Sequence, residues 1–161
     1  MLTNVTEDNQ PSIPILILAG REALAIWLND QSDRVKNWVL ATGFEAHSGT
    51  TCLIADVSGN LQMVLGGAEE NDLSNLWTWS AIHDCLPGGS YRLEKPFNEE
   101  DATQAALGWA LAGYRYDRYS KKETKKSIPL LVWPENCHCE YVTVTAEAIF
   151  LVRDLINTPA N

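Results

Sequence analysis

Two short runs, Ile13 to Ala19 (IPILILA) and Ile128 to Trp133 (IPLLVW), are apolar without a polar residue between. A strand with one wet face alternates polar and apolar side chains, so an unbroken run of this length implies a strand covered on both faces. Helical patterns lie between the two runs. Ala23, Leu24, Trp27 and Leu28 share one side of a helix over Arg21 to Asn29, which Asp30 to Asp33 interrupts. Ser32 can cap a second helix with Val35, Trp38, Val39 and Thr42 as its inner stripe, and Gly43 is placed to end it. Covered strands alternating with amphipathic helices define an α/β domain, with a mixed but mostly parallel sheet of about five strands and helices on both faces. Each βαβ crossover should be right-handed, and strand order stays open.

The remaining segments fit this plan. Thr51 to Val57 and Leu61 to Leu65 flank Ser58-Gly59-Asn60, which predicts a β-hairpin closed by Gly66-Gly67. A Gly-Gly pair after a strand can approach a phosphate, but the carboxylates of Glu69, Glu70 and Asp72 follow and no helix-opening glycine motif is present, so a turn is the expectation. Leu73 to Leu86 has helical spacing and stops at Pro87-Gly88-Gly89, before a short strand over Ser90 to Leu93. Asn98 precedes Glu99, Glu100 and Asp101, a capping side chain followed by acids where the helix dipole favours them.

The helix from Glu99 to about Tyr119 is apolar nearly all round in its middle, which requires burial on most sides. Its apolar part is too short to span a membrane. The lysines at 121, 122, 125 and 126 read as a solvated loop, and the last helix is expected from near Val144. Met1 to Gln10 is polar and aperiodic, a disordered tail; the domain proper is 11–156.

Charge and cysteine content narrow the function. A formal net charge of −9 argues against nucleic acid as a partner. The four cysteines have no framework spacing and no secretory segment precedes them, which favours reduced thiols and a cytoplasmic location. Most of the six tryptophans fall within apolar patterns and are expected in the core, with one or two left for an interface.

No catalytic machinery is legible. Cys137-His138-Cys139 offers thiolate and imidazole but lacks the second ligand pair of a structural zinc site, and His47, His83, Cys52 and Cys85 are isolated. Gly88-Gly89-Ser90 precedes a strand, not a helix, so it is no nucleophile elbow. His83 and Cys85 are too close along one helix to face each other. Glu69-Glu70 and Glu99-Glu100 occupy turn and cap positions. No catalytic, cofactor-binding or metal-ligating residue is therefore assigned.

Two strings carry a resemblance. Arg153 to Asn161 (RDLINTPAN) resembles the junction segment of the leucyl aminopeptidase (cytosol aminopeptidase) family. Gly108 to Tyr119 (GWALAGYRYDRY) is similar to the Gly-Trp-x-Leu-x-x-Tyr-x-Phe-x-x-Tyr helix upstream of that junction, with Tyr116 where phenylalanine is common. The apolar pattern Ala148, Leu151, Val152, Leu155 runs to Ile156, and Asn157, Thr158 and Pro159 should stop the helix. The resemblance implies a three-layer, macro-domain-like N-terminal domain, with 157–161 beginning a junction to a catalytic domain outside the chain. It further implies that two divalent ions, zinc or manganese, belong to that catalytic domain, in a peptide-cleaving homo-oligomer of hexameric type. The other class of function left open is a stand-alone module for a nucleotide or an ADP-ribose-like ligand.

Overall fold

The structure is a computed structural model that describes residues 2, 4–7, 11–69, 72–114 and 127–158. Its elements in chain order are β1 (Val5–Thr6), β2 (Ile13–Ala19), α1 (Gly20–Asn29), α2 (Asp33–Thr42), β3 (Thr51–Ala55), β4 (Leu61–Ala68), α3 (Leu76–Cys85), β5 (Gly89–Leu93), α4 (Glu99–Ala112), β6 (Pro129–Val132) and α5 (Cys139–Asn157). The six strands form one sheet in the order β1-β6-β5-β2-β4-β3. Among the described residues only β3 runs antiparallel to its neighbour. The mixed, mostly parallel α/β sheet is as expected, with six strands where about five were anticipated. The additional one is β1, inside the stretch taken as a disordered tail. Val5 and Thr6 pair with Leu131 and Val132, and Asn4 is buried with its amide donating to the Trp109 carbonyl at 2.6 Å.

The two faces of the sheet carry different helices because alternate strand residues point in opposite directions. Leu16, Leu18, Cys52, Ile54 and Leu65 pack with Leu24 of α1 and with Val35 and Val39 of α2. Ile15, Val64, Tyr91 and Leu131 face Trp79 and Ile82 of α3 and Ala105 and Trp109 of α4. A further apolar cluster joins α4 to α5 through Ala106, Leu107, Ala110, Val142 and Ala146. This explains why the middle of α4 is apolar all round: it lies between the sheet layer and α5.

Local signals explain most element ends. Asn98 accepts the Asp101 backbone N–H at 2.8 Å and caps α4, an interaction of about 1 kcal/mol in ordinary helices. Gly43 closes α2 in the left-handed region at φ 67°. Ser32 holds the N-cap position of α2 but its side chain makes no capping bond. The β3 edge is sealed by α2, since the Trp38 indole N–H donates to the Leu53 carbonyl at 2.8 Å and Arg34 donates to that of Ala55 at 2.6 Å.

Gly66-Gly67 departs from expectation, because it continues β4 instead of closing the hairpin. The arch 46–50 crosses directly over Gly67, with Gly67 N–H donating to the Thr50 carbonyl at 2.8 Å and Gly49 N–H to the Gly67 carbonyl at 3.0 Å. A side chain at Gly67 would lie 2.1 Å from the His47 carbonyl oxygen. The close backbone approach comes from the chain itself, which occupies the space a ligand would need. The last helix starts at Cys139, earlier than the expected Val144, because the His138 ring supplies its N-cap. The helix after Asn98 ends at Ala112 with Gly113 as its C-cap and Tyr114 already outside it, short of the expected Tyr119, and the lysine cluster lies in 115–126, outside the described residues.

Candidate interdomain junction

The two strings that carry the family resemblance meet in space at the end of α4. Within the first, Gly108 lets α3 approach, since a Cβ there would lie 2.7 Å from the Leu76 carbonyl oxygen. Trp109 fills the core beneath it, fully buried. Leu111 offers its carbonyl to Arg153 of the second string at 3.4 Å. Tyr114 completes the contact: its hydroxyl donates to Asp154 Oδ1 at 2.8 Å and accepts from the Asn157 amide at 3.3 Å. The Arg153 guanidinium lies over the Tyr114 ring, 5.2 Å from its centre, and Phe150 packs against it at the same distance between rings.

Local desolvation, and then the bond to Asp154, hold the Tyr114 hydroxyl above the ordinary tyrosine range. It therefore remains a donor throughout the neutral range. Replacing Tyr114 with phenylalanine should release the last two turns of α5. Hydrogen exchange should then rise over Phe150 to Asn157 while β2 and β4 keep their protection. Unchanged exchange in α5 would show that the clamp does not hold it.

The clamp fixes which side of α5 faces outward. Val142 and Ala146 are buried against α4, and Ile149, Phe150 and Arg153 are half-buried. Leu151, Val152, Leu155 and Ile156 lie on the other side, 60%, 54%, 67% and 77% exposed. The apolar pattern noted in the sequence is thus an exposed stripe, not the one packed on α4. Contiguous exposed apolar residues of this kind mark interaction surfaces.

Among the described residues no comparable constellation of reactive groups accompanies it. The crevice beyond the carboxyl ends of β2 and β4, where α/β sheets commonly bind ligands, is lined by Gly20, Ala46, His47, Ser48, Ala68, Glu69 and Asp72. Its nearby basic side chains are engaged: Arg21 and His47 both pair with Glu45, Arg21 first, and hold that carboxyl below its usual range. Glu69 and Asp72 would repel a phosphate at the same place. Among the described residues no three of His, Cys, Asp and Glu converge as a metal donor set.

The residues weighed individually are dispersed. His83 is buried edge-on to Trp109, with ring centres 5.2 Å apart, while Cys85 is exposed. Cys52 lies in the α1/α2 layer beside Thr42 at 3.5 Å. Ser90 is on β5, and Glu99 and Glu100 stand in the first turn of α4. Trp79 and Trp109 are core residues, whereas Trp38 and Trp77 are exposed. Missing from the sequence reading was the pairing of Tyr114 with Asp154 and Asn157; the two quoted strings contain all three but give no sign that they touch.

The described residues thus form an α/β sandwich whose last helix is clamped by Tyr114 and presents an apolar stripe, and comparison with known proteins gives its family. The model of the M17 aminopeptidase N-terminal domain matches residues 13–134. The chain belongs to that family. The cytosol aminopeptidase of Coxiella burnetii superposes with a TM-score of 0.81 at 34% identity, over 96% of this chain and 33% of that one. The bottromycin maturation enzyme BotP, in complex with Mn, gives 0.64 at 19% identity over 92% of this chain and 32% of that one. A tomato leucine aminopeptidase mutant gives 0.59 at 16% over 98% and 38%. The last two share the fold. This chain spans about a third of the length of these structures. No curated protein sequence matches it significantly.

Proposed function

We propose that the chain is a non-catalytic domain of a metal-dependent aminopeptidase that releases N-terminal amino acids from peptides, with α5 as the link to the catalytic domain. The domain runs over 11–156, together with β1, and 157–161 begins the junction. In this reading two divalent ions, zinc or manganese, are held by residues outside these 161. The intact enzyme is a cytoplasmic homo-oligomer of hexameric type, without nucleic acid or membrane as partner. Among the described residues no helix is long and apolar enough to cross a membrane. The exposed stripe on α5 carries the proposal: four large apolar side chains remain in water unless another domain covers them. The alternative of a nucleotide or ADP-ribose module gains nothing from the acidic crevice at the strand ends.

The test is to replace Leu151, Leu155 and Ile156 with serine, both in the 161-residue chain and in the polypeptide that continues into the catalytic domain. Exposed side chains contribute little to a domain by themselves, so the isolated domain should change by no more than roughly 0.5 kcal/mol per site. The longer polypeptide should lose its single cooperative melting transition and its assembly. If both proteins are unaffected, the stripe is not covered and the role given to α5 is wrong.

A further inference from the structure

The loop that leads into α5 folds two cysteines onto one another. Cys137 N–H donates to the Pro134 carbonyl at 3.2 Å, and Cys139 N–H donates to the Cys137 carbonyl at 3.0 Å. The second bond spans two residues, and His138 between them has φ −80° and ψ 75°, which is an inverse γ-turn. An extended chain places residues i and i+2 about 7 Å apart, beyond the roughly 4.4–6.8 Å between Cα atoms that a disulfide accepts. The turn shortens that span. The Cys139 thiol also points back toward the Cys137 carbonyl, at 3.5 Å.

The turn is fixed from both sides. Asn136 sits in the left-handed region at φ 63°, and its amide donates to the Phe97 carbonyl at 3.0 Å. His138 N–H donates to the Thr103 hydroxyl of α4 at 3.0 Å, while its ring accepts from the Tyr141 backbone and caps α5. Both cysteines are half-buried, so small oxidants can reach them. Cys52 and Cys85 lie on other elements, β3 and α3.

We propose that Cys137 and Cys139 are a redox-active dithiol that closes to a disulfide across His138 when a peroxide is present. In the first step the Cys139 sulfur attacks hydrogen peroxide. An S–O bond forms as the O–O bond breaks, Cys139 becomes a sulfenic acid, and the departing hydroxide takes the Cys139 proton and leaves as water. In the second, the Cys137 sulfur attacks the sulfenic sulfur; the S–S bond forms, the S–O bond breaks, and the departing hydroxide takes the Cys137 proton as a second water. Two thiols lose two electrons in all, and one peroxide gains them. Burial pushes the Cys137 thiol up to about 12, so it keeps its proton in the neutral range and leaves the first attack to Cys139. A disulfide across a single residue is strained, and strained disulfides are the readily reduced, regulatory kind. The modification would lock the turn that starts α5 and so reach the helix bearing the exposed stripe.

The test uses the folded 161-residue chain with Cys52 and Cys85 replaced by alanine. After brief exposure to stoichiometric hydrogen peroxide, remaining thiols are alkylated and the protein is weighed intact and as peptides. The expected product has lost two hydrogens, takes up no alkyl group, carries its linkage within one peptide spanning Cys137 to Cys139, and regains both thiols with dithiothreitol. Cys137→Ser should stop at the Cys139 sulfenic acid, trapped by dimedone, and Cys139→Ser should give no such adduct. Two alkylated thiols after peroxide, a disulfide only between separate chains, or a dimedone adduct on Cys137 in the Cys139→Ser variant would each overturn the proposal. So would a doubly alkylated product in a chain whose circular dichroism shows native folding.

Discussion

Replacing Trp109 with alanine is expected to cost about 3–5 kcal/mol, enough to unfold much of a domain whose total stability lies in the usual range of roughly 5–15 kcal/mol. The indole is fully buried among α3, α4, β5 and β6. Its ring meets the edge of His83 and lies 6.1 Å from the Tyr91 ring centre. Its N–H donates to the Pro129 carbonyl at 3.3 Å, which would lose that partner. The cavity could not collapse easily, because the neighbouring positions Ala105, Ala106 and Ala110 are small and already packed. Urea denaturation followed by circular dichroism measures the loss. A midpoint shift worth less than about 1 kcal/mol would show that α4 is not the centre of the core. Trp109→Phe should retain more than half of the stability that alanine removes, because most of the ring volume stays.

Gly67→Ala should cost about 3 kcal/mol, near the upper end for overpacking, although it adds a single methyl group. The added carbon would lie 2.1 Å from the His47 carbonyl oxygen and 2.5 Å from the Ala46 carbonyl carbon, both backbone atoms. They cannot swing aside as a side chain can. The arch that carries them is fastened by the Gly49 and Thr50 hydrogen bonds to β4, and Ala46 is buried at φ 57°. Gly66→Ala provides the comparison. Its methyl would lie 2.7 Å from the tip of the Ile17 side chain, which can rotate, so a cost of about 1 kcal/mol is expected. Equal effects at the two glycines, measured by thermal or urea denaturation, would show that the arch is not held against β4.

The contrast between these glycines also shows where sequence reasoning stopped. The strand over Ile13 to Ala19, the Asn98 cap and the buried middle of α4 were legible because each is set by neighbours along the chain. Gly66-Gly67 was not, since glycine pairs usually mark turns and only the tertiary arch explains a strand there. Strand β1 escaped notice because two residues carry no periodicity, and its burial depends on β6 more than a hundred residues later. The α5 pattern was visible as apolar, but its direction is set by Tyr114, outside the helix. The family resemblance could likewise be read from two strings that give no sign of their contact. Cys137 and Cys139 gave no metal spacing in the sequence, and their closeness depends on the γ-turn at His138.

The most direct measurement of the central claim is leucine p-nitroanilide hydrolysis by the 161-residue chain, with zinc or manganese supplied, beside the same assay on the polypeptide that continues into the catalytic domain. Hydrolysis by the longer protein and none above background by the 161 residues is the expected result. Metal-dependent turnover by the shorter chain, persisting through further purification, would contradict the account.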